Sequence, residues 1–286
     1  MVADPGVRAV LADVAAVNLF FAVAPECAGP GWLPVGELGR RADLLAGEVA
    51  TVRAALAEAS GCTPGQVEGR VAASLFYQGL ASRLLSPVIG AALAHGRVPD
   101  PAGLCWRRDR RGPLVFALGE GTPLLPVAAD RNGNGNGTTV GTPLRSGAYR
   151  TPRPDGAGSQ EGPSPETVAD LVRTRVLEGV LRPVGAALRA QVRVAERLLW
   201  GNAASALAGA VGSLARARPA LAADARALAA ALLARPPLAG LGRLGPEPGH
   251  GFTRTTCCLY YRLPGAGMCG DCALLPSARR SRAQGR

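Results

Sequence analysis

The chain has 286 residues, 48% of them hydrophobic, with 32 basic residues against 21 acids and a formal net charge of +11. That length suffices for one large domain or two small ones. The run Val14 to Ala24 is shorter than the roughly 20 residues a bilayer takes, is interrupted by Asn18 and lacks the cationic lead of a signal peptide, so neither a membrane span nor a secretory leader is expected there.

The apolar content is mostly alanine, leucine and valine, with three Trp, four Tyr and five Phe, so the class expected is mainly α. Every basic residue is arginine and none is lysine, in step with the abundant Ala, Gly and Pro that GC-rich codons produce. A nucleic-acid reading of the charge is weakened accordingly. The expected compartment is the cytoplasm, where thiols stay reduced.

In chain order, Val7, Val10, Leu11, Val14 and Val17 recur at helical spacing and predict a helix from Pro5 to about Ala24, ended by CAGPGWLP. A second helix is expected over Asp43 to Ala59, closed by Ser60-Gly61. A third starts at Thr63-Pro64 and turns Val67, Val71, Leu75 and Leu80 inward. Ser86-Pro87 reads as the start of another short helix, ending at His95-Gly96. GLCWRRDRRGPLVFAL then predicts a β-hairpin around Asp109 to Gly112.

Residues 130–163 are rich in Gly, Asn, Pro and Ser and read as a flexible loop after an N-terminal region over 1–129. Ser164-Pro165-Glu166 restarts helix with a capping hydroxyl, a first-turn proline and an acid. From there a bundle region over 164–250 is expected, with breaks at Arg182-Pro183, Gly201-Asn202 and Arg218-Pro219 and with Leu171, Leu177, Leu181, Leu188, Leu198, Leu199, Leu207 and Leu214 inside. A cysteine-rich segment spans 251–276, and 277–286 reads as a disordered basic tail. The architecture expected is a helical bundle with a small hairpin or sheet and a C-terminal cysteine segment, α+β in the wider sense.

Four of the seven cysteines fall in that segment as C-C-x10-C-x2-C: Cys257, Cys258, Cys269 and Cys272. In a reducing compartment such a group points to a metal rather than to disulfides. Four thiolates complete either a tetrahedral zinc site or the ligand set of an iron-sulfur cluster. Cys269-Cys272 suits both. The adjacent pair does not suit a structural zinc turn, because neighbouring side chains diverge along a strand; both sulfurs reach one centre only where the backbone is irregular or the centre is extended.

R-x-T-C-C-x-Y-Y followed by C-G-D-C, formed here by Arg254, Thr256, Cys257, Cys258, Tyr260, Tyr261, Cys269, Gly270, Asp271 and Cys272, resembles the C-terminal signature of the FhuF-type ferric-siderophore reductases. Beyond these residues the likeness is a helical body and a WGN turn at Trp200-Gly201-Asn202. The resemblance implies a 2Fe-2S cluster on the four cysteines and a one-electron oxidoreductase acting on a ferric siderophore, for iron acquisition. The siderophore's charged oxygen donors prefer Fe(III), so one added electron loosens the complex. Neither a G-x-G-x-x-G after a strand nor a P-loop is present, so an external donor such as a ferredoxin or flavodoxin is expected.

Around the cysteines, Gly265, Gly267 and Gly270 would allow positive φ, Asp271 would stabilise a turn or lower the cluster potential, and Arg254 would either offset cluster charge or lie on the surface. Tyr260 and Tyr261 would shield the cluster or pack on the helices. Arg107, Arg108, Arg110 and Arg111 read as a solvated turn that could meet an acidic partner. Trp200 reads as core, His95 as a helix C-terminal residue, and His250 as a spare ligand that four cysteines make unnecessary. Cys27, Cys62 and Cys105 read as isolated small hydrophobes. The alternative is a zinc or iron-sulfur regulatory protein binding nucleic acid; no arginine stripe beside a DNA-reading motif and few stacking aromatics speak for it. A third reading makes the cluster merely structural.

Overall fold

Asp4 opens the first helix, α1 (Pro5–Ala15): its carboxylate accepts the Gly6 amide at 3.2 Å, and Pro5 presets the backbone of the first turn. The computed structural model describes residues 4–109, 112–127, 163–245 and 251–275. The expected loop over 130–163 lies outside them except for its last residue, as do Arg110, Arg111, His250 and the expected tail over 277–286.

Val7, Leu11 and Val14 are buried as their spacing predicts, but α1 stops at Ala15 instead of running on towards Ala24. Asn18 supplies the reason. Its side-chain oxygen accepts the Phe20 amide at 2.9 Å, which favours a short 3-10 turn, Leu19–Phe21, over further helix. The chain then extends into β1 (Val23–Ala24) and β2 (Leu33–Pro34).

A single turn, α2 (Glu37–Arg40), leads into α3 (Ala42–Ala59), which ends at Gly61 with φ +62°. The Thr63–Gln66 capping box closes only a 3-10 turn. The next helix, α4 (Gly69–His95), departs most from expectation: its 27 residues run straight through Ser86-Pro87. Pro87 deprives the Arg83 carbonyl of its helical donor, a defect worth about 3 kcal/mol in an open helix. Enclosure offsets it. α4 is the central rod, and of residues 71–92 all but Leu75, Gln78, Gly79 and Ser82 are buried. Gly96 closes the rod with φ +60°, and His95 at its end meets Asp13 at 2.7 Å. Arg218 also binds Asp13 and holds its carboxyl below the usual carboxylate range.

The hairpin forms where the sequence predicts it. After β3 (Arg97–Pro99), β4 (Leu104–Arg108) pairs antiparallel with β5 (Leu114–Leu118), Trp106 opposite Phe116. β1 joins β5 in parallel and β2 joins β4, giving the order β1-β5-β4-β2, while β6 (Leu124–Pro126) pairs with β3. Arg108 does not reach out from the turn; it binds Glu48 and the Gly112 carbonyl, and Arg107 stacks 4.6 Å over Trp32.

Ser164 caps α5 (Pro165–Leu171) by accepting the Thr167 amide at 3.2 Å. A π-helical stretch, Val172–Leu181, continues into α6 (Arg182–Gln191), so the expected break at Arg182-Pro183 is a change of helix type rather than an end. The chain breaks instead at Val192 to Ala195 and enters α7 (Glu196–Ala217), which carries Gly201-Asn202 without interruption. Arg218-Pro219 does break the helix, before α8 (Ala222–Leu233). α7 packs along α4, and α8 along α7. α7 is long and apolar enough to cross a membrane by length and composition, but 67% of that window is buried inside the fold, as befits a core helix.

Candidate metal centre

The cysteine segment enters through a two-stranded ribbon, β7 (Gly242–Leu244) with β8 (Phe252–Arg254), in which Gly242 faces Arg254. Thr255 extends the pairing, donating to the Leu241 carbonyl at 2.9 Å. Beyond it the segment lies across the N-terminal ends of α4 and α7. Leu263 anchors it by packing with Ala57, Val67 and Val71.

Arg254 is buried to 1% exposure, which rejects a surface role. Its Nε donates to Asp271 Oδ2 at 2.9 Å and its Nη1 to Asn202 Oδ1 at 2.8 Å. Asn202, on α7, donates in turn to the carbonyl and hydroxyl oxygens of Ser74 on α4, both at 2.8 Å, and the Ser74 hydroxyl donates to the Cys258 carbonyl at 2.7 Å. One buried chain of hydrogen bonds thus runs from the carboxylate between Cys269 and Cys272, through both core helices, back to the backbone of the adjacent pair. Asp271 is therefore more than a turn residue.

Gly201 explains why glycine stands inside α7. A Cβ there would lie 1.8 Å from Thr256 Oγ1, so only glycine lets the loop pass this close to the helix. Trp200 beside it is core, 6% exposed, its indole N–H on Glu196 at 3.2 Å.

The backbone turns irregular immediately after the adjacent cysteines. Leu259 takes φ +68°, a left-handed conformation costing a branched residue on the order of 1–3 kcal/mol. Of Gly265, Gly267 and Gly270, only Gly265 takes positive φ, at +71°. The Leu259 amide donates to Cys257 Sγ at 3.3 Å and the Leu274 amide to Cys272 Sγ at 3.4 Å, so each cysteine pair carries one N–H···S contact two residues on.

Cys258 Sγ and Cys269 Sγ lie 3.5 Å apart. The Cys269 thiol, backed by the Tyr260 amide and the Arg254 charge, draws Cys258 down to about 6 against its burial. Burial raises Cys257. Among the described residues no three of His, Cys, Asp and Glu are gathered around a single point. A two-iron cluster asks for something different, two thiolates per iron, and two sulfurs on one tetrahedral metal at bonds of about 2.3 Å stand about 3.8 Å apart. Cys258 and Cys269 match that spacing. Such a cluster is anionic, and among the described residues two buried polar atoms of this segment, Arg254 Nη2 and Thr256 Oγ1, have no partner. The residues present fit the group.

Two family models match the chain. Residues 137–246 match the ferric iron reductase FhuF-like transporter family and residues 254–274 match the FhuF 2Fe-2S C-terminal domain. Over these residues the chain is similar to FhuF. No curated protein matches it. The match to the FhuF 2Fe-2S domain indicates a 2Fe-2S cluster on the cysteine segment; of the two helices that grip the cysteine loop, α7 lies within the longer match and α4 lies outside both.

Sequence reasoning found the cysteines, Arg254 and Asp271 of the FhuF-type motif but missed Ser74, which carries no local signal, and misread Gly201-Asn202 as a turn. It also misread two thiols. Cys27 and Cys105 are not isolated: they are within hydrogen-bonding reach of each other, and Cys27 Sγ lies 3.2 Å from the Leu118 carbonyl. Burial and the neighbouring sulfur push Cys27 up to about 12. A raised thiol is protonated below that value, so Cys27 is expected to resist iodoacetamide at pH 8 while an ordinary thiol reacts; peptide mapping after timed alkylation checks this. Cys62 is a small hydrophobe packed beside Leu263 and Val67.

Proposed function

We propose that this chain reduces a ferric siderophore by one electron in the cytoplasm and so releases ferrous iron, with Cys257, Cys258, Cys269 and Cys272 as the ligands of its cluster. When bound, the 2Fe-2S group supplies electrons singly, as a one-electron reduction of ferric iron requires. The observation that carries the reading is the cysteine segment itself: a 2Fe-2S domain on a ferric-reductase-like body, with an uneven exposure of its sulfurs. Cys258 and Cys272 are buried, whereas Cys257 and Cys269 are half-exposed. That gives the centre a solvent-facing edge.

The residues of the chain do three things. Arg254 places a fixed positive charge behind the thiolates and favours their ionised form. The Leu259 and Leu274 amides aim at sulfur, an arrangement that tunes potential through hydrogen bonding. Ser74 and Asn202 hold the loop backbone rigidly against α4 and α7. No proton transfer or nucleophile is needed, because a chelate of charged oxygens binds Fe(II) far less tightly than Fe(III). Lacking a nucleotide fingerprint, the chain takes its electron from an external carrier such as a ferredoxin or flavodoxin.

Rapid mixing of the reduced protein with a ferric hydroxamate or catecholate chelate, followed by visible absorbance and ferrous trapping, tests the reading. Reoxidation that depends on chelate concentration, with one Fe(II) trapped per electron, is expected; a reduced protein indifferent to every ferric chelate defeats it. Cys258→Ser and Cys269→Ser are expected to lose the visible colour while keeping nearly all helical circular dichroism, and either variant retaining full colour removes that cysteine from the ligand set.

A further inference from the structure

A second pair of thiols meets away from the cysteine segment. Cys27 follows β1 and Cys105 lies on β4, the two strands that flank β5, so that Ala24 and Cys105 both stand opposite Ala117. Beyond Ala24 the chain curls over the end of β5. Cys27 Sγ there reaches the Leu118 carbonyl at 3.2 Å, and Cys105 Sγ stands 3.6 Å from where a side chain on the next residue, Gly119, would begin. Leu118 and Gly119 thus gather both sulfurs, which are within hydrogen-bonding reach of each other. Both side chains are partly exposed, so a small reagent can reach them.

The backbone that carries Cys27 is lightly held. β1 and β2, the outer strands of the four-stranded sheet, are two residues long each. The connection between them takes positive φ at Gly29 and Gly31, +80° and +87°, and its Arg8–Glu26 ion pair joins side chains 40 and 42% exposed, a setting in which such a pair adds little. Local opening concentrates in segments of this kind. β4 is different: it pairs along five residues with β5 and lies inside the sheet. A covalent tie between Cys27 and Cys105 would pass over the end of β5 and fix the loose edge to the firm middle. It would also close a loop holding α2, α3 and α4, and a loop of that length removes much freedom from the unfolded chain.

We propose that Cys27 and Cys105 are a reversible disulfide site, converted by a low-molecular-weight disulfide such as oxidised glutathione into a cystine that clamps β1 and the connection after it onto β4. Cys27 is held protonated by burial and by its neighbour, so Cys105 makes the first attack. Its sulfur bonds to one sulfur of the glutathione disulfide and the other leaves as a glutathione thiol. Cys27 then attacks the mixed disulfide and releases the second glutathione. The two protein thiols are oxidised by two electrons, one disulfide is reduced, and both protons leave on the two glutathione thiols. While the surrounding glutathione pool is reducing, the pair stays open. The inference stands apart from the reductase reading, and a protein that reduces no ferric chelate leaves it untouched.

The test incubates the anaerobic full-length protein in glutathione buffers from reduced to oxidised, blocks free thiols with N-ethylmaleimide and maps the tryptic peptides. Residues 9–40 and 98–107 fall on separate peptides, each with one of the two cysteines. In the oxidised buffer the two are expected as one linked species, lighter by two hydrogens than their sum and separated again by dithiothreitol. Hydrogen exchange over residues 23–34 is expected to slow on the order of tenfold in the linked form. Cys27→Ser is expected to trap Cys105 as a mixed disulfide with glutathione, and Cys105→Ser to leave Cys27 largely unmodified; neither variant slows exchange. Peptides recovered unlinked from the fully oxidised buffer overturn the site. A link that forms without slowing exchange overturns the clamp, and Cys27 taking up glutathione as readily as Cys105 overturns the order of attack.

Discussion

Arg254→Leu is expected to destabilise the protein by about 3–5 kcal/mol and to yield a preparation that holds little or no cluster. The guanidinium is buried, with a side-chain exposure of 0%, and it is the one group joining Asp271 to Asn202. Leucine fills much of the volume but leaves the Asp271 carboxylate, only 19% exposed, without its cation, and leaves Asn202 Oδ1 without a donor. Breaking a buried pair costs more than the pair is worth, because the remaining charge stays desolvated. Against a total stability on the order of 5–15 kcal/mol, the loss is large. Urea denaturation with circular dichroism reads the stability and visible absorbance reads the cluster. Arg254→Lys separates charge from geometry: one ammonium cannot span two acceptors as a planar fork does, so it should recover part of the stability and less of the colour. A leucine variant as stable and as coloured as the parent would mean the network does not hold the loop.

Gly201→Ala should show the second large effect, and in the direction opposite to helix propensity. In the interior of an exposed helix, alanine in place of glycine gains about 1 kcal/mol. Here the added methyl would meet Thr256 Oγ1 at 1.8 Å and Thr256 Cβ at 3.0 Å. Something must shift, and Thr256 immediately precedes Cys257, so the shift falls on the adjacent pair. The expected variant keeps a full α7 by circular dichroism yet loses most of its cluster, or binds one that bleaches quickly in air. Pairing it with Thr256→Gly, which removes the obstructing side chain, should restore loading in good part. Equal losses in the single and double variants would place the fault elsewhere than in this contact.

Much of the local structure was legible because it obeys local chemistry. Ser164 caps a helix, Gly96 closes one, and the two β-prone runs beside Asp109 form a hairpin, each for reasons contained within a few residues. Misreadings arose where distant packing overrode those reasons. Pro87 is an exposed-helix breaker set in a stretch, residues 83–92, that is buried throughout, and no local pattern announces the enclosure. Gly201 looks like punctuation, but its glycine answers to Thr256, more than fifty residues away in sequence. The parallel contact of β1 with β5 and the meeting of Cys27 with Cys105 are likewise long-range.

At the site, the four cysteines are visible from spacing alone, and the motif around them carries the family. What supports them is not visible. Ser74 is one serine among many in a helix, and its hydroxyl on the Cys258 carbonyl becomes apparent only when α4 and the loop are brought together. Arg254 stands in the motif, but burial and surface exposure give an arginine the same letter. An irregular backbone was one of two ways foreseen for adjacent cysteines to reach one centre, the other being an extended centre, but the left-handed Leu259 was not foreseen in place.

The account stands on a sulfide-bridged pair of irons in the cysteine segment. The most direct measurement is the iron, zinc and acid-labile sulfide content of the anaerobically purified full-length protein. Two irons and two sulfides per chain, with negligible zinc, are expected from the 2Fe-2S domain. One zinc per chain with no sulfide would contradict it.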